Sequence, residues 1–199
     1  MTITYVVKKG IYINLTNRCS NSCEFCIRQN GDGVYGSDSL WLEHEPEFDE
    51  VMAAISKYDL SQFEEVVFCG YGEPTERAAL MLAVAAAIKK MAPIHIRVNT
   101  NGHGNLIAGR DITPGFSGII DTVSISLNTA NSKDYVKVCH PEFGEKAYDG
   151  LIEFARLSKR YVENVILSVV DTTIPPSDIE ECARIADSIG VTLRVRPFE

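Results

Sequence analysis

Residues 11–26 read IYINLTNRCSNSCEFC, a short apolar run at 11–15 leading directly into cysteines at 19, 23 and 26. The run has the composition of a strand. Ile11, Ile13 and Leu15 fall on one side and Tyr12, Asn14 and Thr16 on the other, because side chains alternate across a pleated strand. The cysteines follow in a polar loop at the strand's C-terminal end. A strand with a chemistry-bearing loop directly after it is how α/β folds build their sites.

Outward from this segment, comparable runs occur at 66–69 (VVFC), 94–99 (IHIRVN), 122–127 (TVSISL), 165–170 (VILSVV) and 191–196 (VTLRVR). Together they predict six strands. Segments at 46–58, 76–91, 144–160 and 177–190 carry apolar residues three and four apart and predict helices. In the last, Ser177 and Glu180 form a candidate capping box, and Gly190 stands where a left-handed residue ends a helix. Residues 102–118 hold five glycines and one proline and predict only a short helix or loop.

Strand and helix in alternation argue for an α/β fold with a parallel sheet and right-handed crossovers. A closed eight-stranded barrel takes about 250 residues. The 199 residues here suit a partial (β/α)6 barrel of the TIM type with parallel strands, in one domain spanning 1–199. The alternation of the first strand recurs in His95, Arg97 and Asn99, in Ser124, Ser126 and Asn128, and in Thr192, Arg194 and Arg196. One sheet face is therefore polar and, if concave, lines a wet or ligand-filled cavity. Arginines at 97, 194 and 196 on that face would be costly without anionic partners, which points to an anionic ligand or substrate.

With 19 Lys+Arg against 27 Asp+Glu the net charge is -8, which argues against a general nucleic-acid binder. The first residues lack a signal-peptide pattern and no stretch is apolar enough to span a bilayer, so a cytoplasmic protein is expected. In a reducing compartment six cysteines serve metals or catalysis before disulfides. The C-x3-C-x2-C spacing lets three thiolates wrap one cluster. No fourth cysteine follows nearby, so one iron stays open to an outside ligand. A structural zinc site is the alternative, although zinc sites usually show a second paired hook, absent here.

With Phe25 before the third cysteine, this loop resembles the signature of the radical S-adenosylmethionine (SAM) superfamily. The resemblance implies a 4Fe-4S cluster on Cys19, Cys23 and Cys26, which are then both metal ligands and catalytic residues. It implies SAM on the open iron, reductive cleavage to a 5'-deoxyadenosyl radical, and hydrogen abstraction from an unknown substrate. Residues 69–75 (CGYGEPT) are similar to the family's Gly-Gly-Glu-Pro turn, which assigns Gly70, Tyr71, Gly72 and Glu73 to the methionine amino group. The plainer alternative is that Glu73 caps the following helix. Asn99 in NTNG, and Ser126 and Asn128 in SISLN, occupy the family's positions for ribose and methionine carboxylate. Ordinary turn chemistry is their alternative. Phe25 and Arg196 complete the cofactor-binding set, Arg196 as a candidate for the carboxylate.

The family's Gly-x-Ile-x-Gly pattern is missing at 169–171. Within the superfamily the chain is similar to the short TatD-associated proteins, implying a TatD-type hydrolase as partner. A cytosolic electron donor such as flavodoxin or ferredoxin is implied as well. Two rival readings are an activase that makes a glycyl radical on a partner protein, and a non-catalytic iron-sulfur or metal-binding module. Cys69 reads as a buried strand residue, and Cys139 and Cys182 carry no assigned role. Residues 29–45, with Tyr35 and Trp41, exceed a usual strand-to-helix link and are either a lid or a disordered insertion.

Overall fold

In the computed structural model, which describes residues 1–197, seven strands form one sheet in chain order. They are β1 (Thr4–Val7), β2 (Gly10–Ile13), β3 (Glu65–Phe68), β4 (His95–Thr100), β5 (Thr122–Ser126), β6 (Asn164–Val170) and β7 (Thr192–Arg196). From β2 onward all neighbours are parallel. Helices α1 (Phe48–Ile55), α2 (Ala78–Met91), α3 (Gly104–Ala108), α4 (Ser132–Cys139), α5 (Lys146–Ser158) and α6 (Pro176–Ile189) occupy the connections. When consecutive strands are also neighbours, right-handed crossovers put every helix on the same face. The result is the expected partial barrel, with β1 and β7 as its edges.

The alternation holds in β2 and β4, whereas at the edge strand β7 Val195 is exposed and Arg196 is the more buried of the two. Ile11, Ile13, Phe68, Ile96, Val98, Val123 and Ile125 are fully buried against Ile55, Met81, Ile88, Leu151 and Phe154 of the helix layer. The polar sets of β2, β4 and β5 face the other way, while in β3 that face carries Val67. No helix among the described residues is long and apolar enough to cross a membrane.

Two elements depart from expectation. Strand β1 pairs antiparallel with β2 through a two-residue turn at Lys8-Lys9, Lys8 having φ 54°. Such turns normally announce themselves by Asn or Gly, which are absent here. Helix α4 lies in a stretch predicted as connection. Its N-cap Asn131 accepts from the Asp134 amide at 3.0 Å. The expected capping box at Ser177 does not form: α6 starts on Pro176, and the Ser177 hydroxyl turns to Asp178 instead. Proline at the first helical position fixes the start without a side-chain cap. Gly190 does end the helix, at φ 74°.

Candidate active site

The cysteine loop is held from three directions. Above it lies the turn after β3, where the Glu73 amide donates to Arg18 O at 2.7 Å. A side chain at Gly72 would run into Thr16 O and come within 2.6 Å of Arg18 O, and one at Gly70 would run into the Asn14 amide. Glycine is required at 72 by this close approach of two backbones, and at 70 by the Asn14 side chain packed against it. Beneath it, Asn101 Nδ2 donates to Ser20 Oγ at 2.9 Å and approaches Cys19 Sγ at 3.8 Å. Ser20 also meets His103 Nδ1 at 3.0 Å, and the Tyr135 hydroxyl joins His103 Nε2 at 3.2 Å to Asn21 Nδ2 at 2.9 Å. His103 has no solvent exposure, and burial lowers its pKa to about 4, so it is neutral. Beside the loop, amides of Ser22 and Glu24 donate to Cys139 O at 2.9 Å and Val138 O at 3.0 Å, and Glu142 N to Ser20 O at 2.9 Å.

All three cysteines are half-buried, and the sulfurs of Cys19 and Cys26 each have an N–H donor nearby. Cys19 Sγ accepts from the Asn21 amide at 3.5 Å and Cys26 Sγ from Arg28 Nε at 3.3 Å. Burial, with Glu73 nearby, pushes the Cys19 thiol up to about 12. The Cys139 contact and burial push Cys23 up further. No three His, Cys, Asp or Glu among the described residues are gathered as ligands of one ion. Thiols surrounded by N–H donors suit a cluster, because such donors offset the charge on cluster sulfurs.

Glu73 is occupied. Its buried carboxylate accepts from the Thr75 amide and hydroxyl at 3.0 and 2.7 Å, Thr100 Oγ1 at 2.7 Å and the Asn101 amide at 2.7 Å. Burial raises its pKa while these four bonds oppose the rise. The side chain staples the turn to the end of β4 and, as the plainer reading held, caps the helical turn Pro74–Arg77. Tyr71 has turned away into a small cluster with Tyr5 and Leu40, its hydroxyl donating to Gly31 O at 2.5 Å.

On the concave face the arginines separate. Arg97 is spent on Glu65, at 2.6 and 3.0 Å, and on the Tyr12 hydroxyl. It also donates to Asn99 Oδ1 at 3.3 Å. Arg194 is exposed at the rim of β7. Arg196 is half-buried at the end of β7, and its buried Nε has no hydrogen-bond partner among the described residues. Burial and Arg194 lower its pKa. Ser126 ends β5 half-buried, opposite Ser168. Asn128 does not continue the alternation: the amides of Leu127 and Asn128 both bond Ser168 O, and Asn128 takes φ 63°. It is buried with Nδ2 on Cys139 Sγ at 3.4 Å. Phe25 is half-buried against the main core. Among the described residues, buried Asn14 Oδ1, Asn21 Oδ1, Asn128 Oδ1 and Arg196 Nε lack hydrogen-bond partners, as does Ser158 Oγ at the end of α5. The first four lie toward the C-terminal ends of the strands, where α/β folds bind ligands.

Residues 29–45 form an ordered strap. Asn14 Nδ2 donates to Leu40 O at 2.7 Å, Asn17 bonds both the carbonyl and amide of Leu42, and Trp41 meets Tyr71 edge-on at 5.1 Å. Arg28 stacks over Trp41 at 5.9 Å. The residues that sequence reasoning missed are Ser20, Asn21, Asn101, His103, Tyr135 and Cys139. Asn101 and His103 flank an Asn-Gly turn, and Tyr135 and Cys139 lie on the unpredicted α4.

The family model described as the Radical SAM superfamily matches residues 13–192. A search of curated proteins finds no match. Among solved structures, SuiB of Streptococcus suis bound to the precursor peptide SuiA has a TM-score of 0.69 at 16% identity, over 94% of this chain and 39% of that one. SuiB bound to S-adenosylmethionine gives 0.61 at 18% identity, covering 94% and 38%. Methylornithine synthase (PylB) gives 0.64 at 14%, covering 96% and 53%. The chain thus spans well under two thirds of these proteins, and at such identities they show the fold alone. The family match covers most of the chain, and the cysteine loop lies inside it: this protein belongs to the radical S-adenosylmethionine superfamily, an enzyme family that uses a 4Fe-4S cluster and S-adenosylmethionine.

Proposed function

We propose that this chain is a radical SAM core domain that abstracts hydrogen from an anionic substrate bound on the concave face. The observation that carries the substrate class is Arg196, whose guanidinium lies on a polar face with its Nε buried and unpartnered among the described residues. Arginine keeps its charge at any working pH and forks onto carboxylate or phosphate. Arg97, neutralised by Glu65, is excluded from that role.

Cys19, Cys23 and Cys26 would hold the cluster, with Asn101, Arg28 and the Asn21 amide offsetting its charge. When bound, the cluster and SAM supply one-electron cleavage to a 5'-deoxyadenosyl radical. Everything else falls to the chain. Gly70 and Gly72 bring backbone acceptors to the methionine amino group, and Glu73 positions that turn without needing to touch the ligand. Asn99 and Ser126 offer amide and hydroxyl groups to ribose and carboxylate. Tyr71 and the strap keep water from that end. Cytoplasmic residence, reduction by flavodoxin or ferredoxin, and membership of the TatD-associated subgroup with a TatD-type hydrolase partner belong to the same reading. Co-purification from a native lysate tests the partner, and failure to recover such a hydrolase removes it.

The anaerobically reconstituted protein should bind about four iron per chain and release 5'-deoxyadenosine after dithionite reduction. Cys69→Ala should keep the iron absorbance, while alanine at 19, 23 or 26 abolishes it. Zinc in place of iron after anaerobic reconstitution refutes the assignment. Arg196→Ala should leave SAM binding intact; loss of SAM binding instead gives this arginine to the cofactor carboxylate.

A further inference from the structure

The two edges of the sheet differ. Beside β1, residues 35–38 of the strap lie against Thr4 and Val6. Among the described residues, β7 has a neighbouring strand on one side alone. The Asp171 amide donates to Arg196 O at 2.9 Å, and the register sets Arg194 opposite Ser168 and Arg196 opposite Val170. A strand residue turns its N–H and C=O to the same side. Thr192, Arg194 and Arg196 therefore bond β6, while Leu193 and Val195 present their backbone groups to the open edge.

The side chains at this edge are unmatched. Arg194 and Arg196 share the concave face, and Val195, 45% exposed, lies on the opposite one. Neither arginine has a carboxylate partner among the described residues, and Arg194 opposes the charge on Arg196. Charged residues on an edge normally deter pairing by staying hydrated. Arg196 Nε is buried and unbonded, so deterrence does not account for it. A second copy of the chain does not fit: two β7 strands paired antiparallel put arginines against arginines, and like charges across a strand pair destabilise it. An acidic strand does fit, because carboxylates at alternate positions meet Arg194 and Arg196 while an apolar residue between them covers Val195.

We propose that β7 docks an extended acidic peptide segment, which joins the sheet as a further strand with carboxylates at alternate positions against Arg194 and Arg196. The backbone groups of Leu193 and Val195 supply the ladder, and the two arginines supply the selectivity. The inference rests on the proposed reading that the substrate is anionic, and names that substrate as a peptide.

The test titrates the reconstituted protein with a capped hexapeptide, TEVEVT, by isothermal titration calorimetry, with glutarate as a small dianion for comparison. Arg196→Ala should weaken the peptide by about tenfold or more, the loss expected of one charge-assisted hydrogen bond. Val195→Pro removes an outward N–H and leaves both arginines and the bonds to β6 in place. It should weaken the peptide by a similar factor and leave glutarate unaffected. Equal peptide affinity in Val195→Pro and the parent overturns the docking edge. Should Val195→Pro not fold, the parent decides with two peptides, each N-methylated on one alternate set of residues. These should differ in affinity, since only one set of amides faces β7, and equal affinities overturn the proposal. A dimer in sedimentation that Val195→Pro dissociates gives the edge to a second copy and overturns it as well. If the peptide fails to bind the parent while glutarate binds and needs Arg196, the docking edge fails and the anionic substrate stands. If neither ligand depends on Arg196, the anionic substrate fails with it.

Discussion

Gly72 has no room for a methyl group, because its missing Cβ points at the backbone of the cysteine loop, which cannot move aside like a side chain. Overpacking a rigid contact costs about 1–3 kcal/mol. Gly72→Ala should fold less stably and take up less iron than the parent, measured by urea unfolding and by iron content. Equal iron uptake would mean that the turn does not need to seat on the loop. His103 gives a pH signature. Its pKa falls from 6.5 unfolded to about 4 folded, so between those values the unfolded chain holds the extra proton. The neutral buried ring thus contributes stability that is full above pH 6.5 and is lost as pH falls toward 4, roughly 3 kcal/mol in all. In cluster-free protein the urea midpoint should drop over that window, and His103→Gln should flatten the drop. At this scale the cysteine motif was legible from its spacing, although the three thiols are not gathered as ligands of one ion among the described residues. Glu73 was legible in position, but its four donors from Thr75, Thr100 and Asn101 can be counted only once the turn is seen against β4.

Among elements, the strap over residues 29–45 is the one whose order the sequence left open, since it has neither helical nor strand period. What orders it is a few anchors on other elements, Asn14, Asn17 and Tyr71. Tyr71→Phe removes the hydrogen bond to Gly31 while keeping the ring under Leu40 and Trp41. The expected cost is about 0.5–1.5 kcal/mol. Hydrogen exchange across residues 30–42 should quicken by up to about tenfold, with the sheet unchanged. No change there would show that ring packing alone holds the strap. Of the six parallel strands, β2, β4, β5 and β7 were readable from a two-residue period in the sequence, and β3 and β6 from continuous runs of β-branched and other apolar residues. Strand β1 was not, since its turn uses Lys8-Lys9. Helix α4 was passed over because its eight residues bury only Tyr135 and Cys139. Those two are the residues that meet the cysteine loop, so the element hardest to see is the one that completes the site.

For the molecule as a whole, the strand order matters most. Every parallel pair joins neighbours in the chain, so the sheet needs no long-range threading and each strand can add to the one before it. The cysteine loop is the exception. It belongs to the second strand but is clasped by Asn101, His103 and residues 138–142, more than eighty residues later. During synthesis the chain therefore carries three unclasped thiols until α4 has been made, since domains form as they emerge. Nascent chains stalled with only β1 to β5 outside the ribosome should be labelled quickly at Cys19, Cys23 and Cys26 by a bulky maleimide. Chains extended to expose residue 142 should be labelled several-fold more slowly. Equal labelling at both lengths would show that α4 does not shield the loop. Timed this way, iron delivery waits for residues made well after the thiols it needs, and those thiols must stay reduced in the interval.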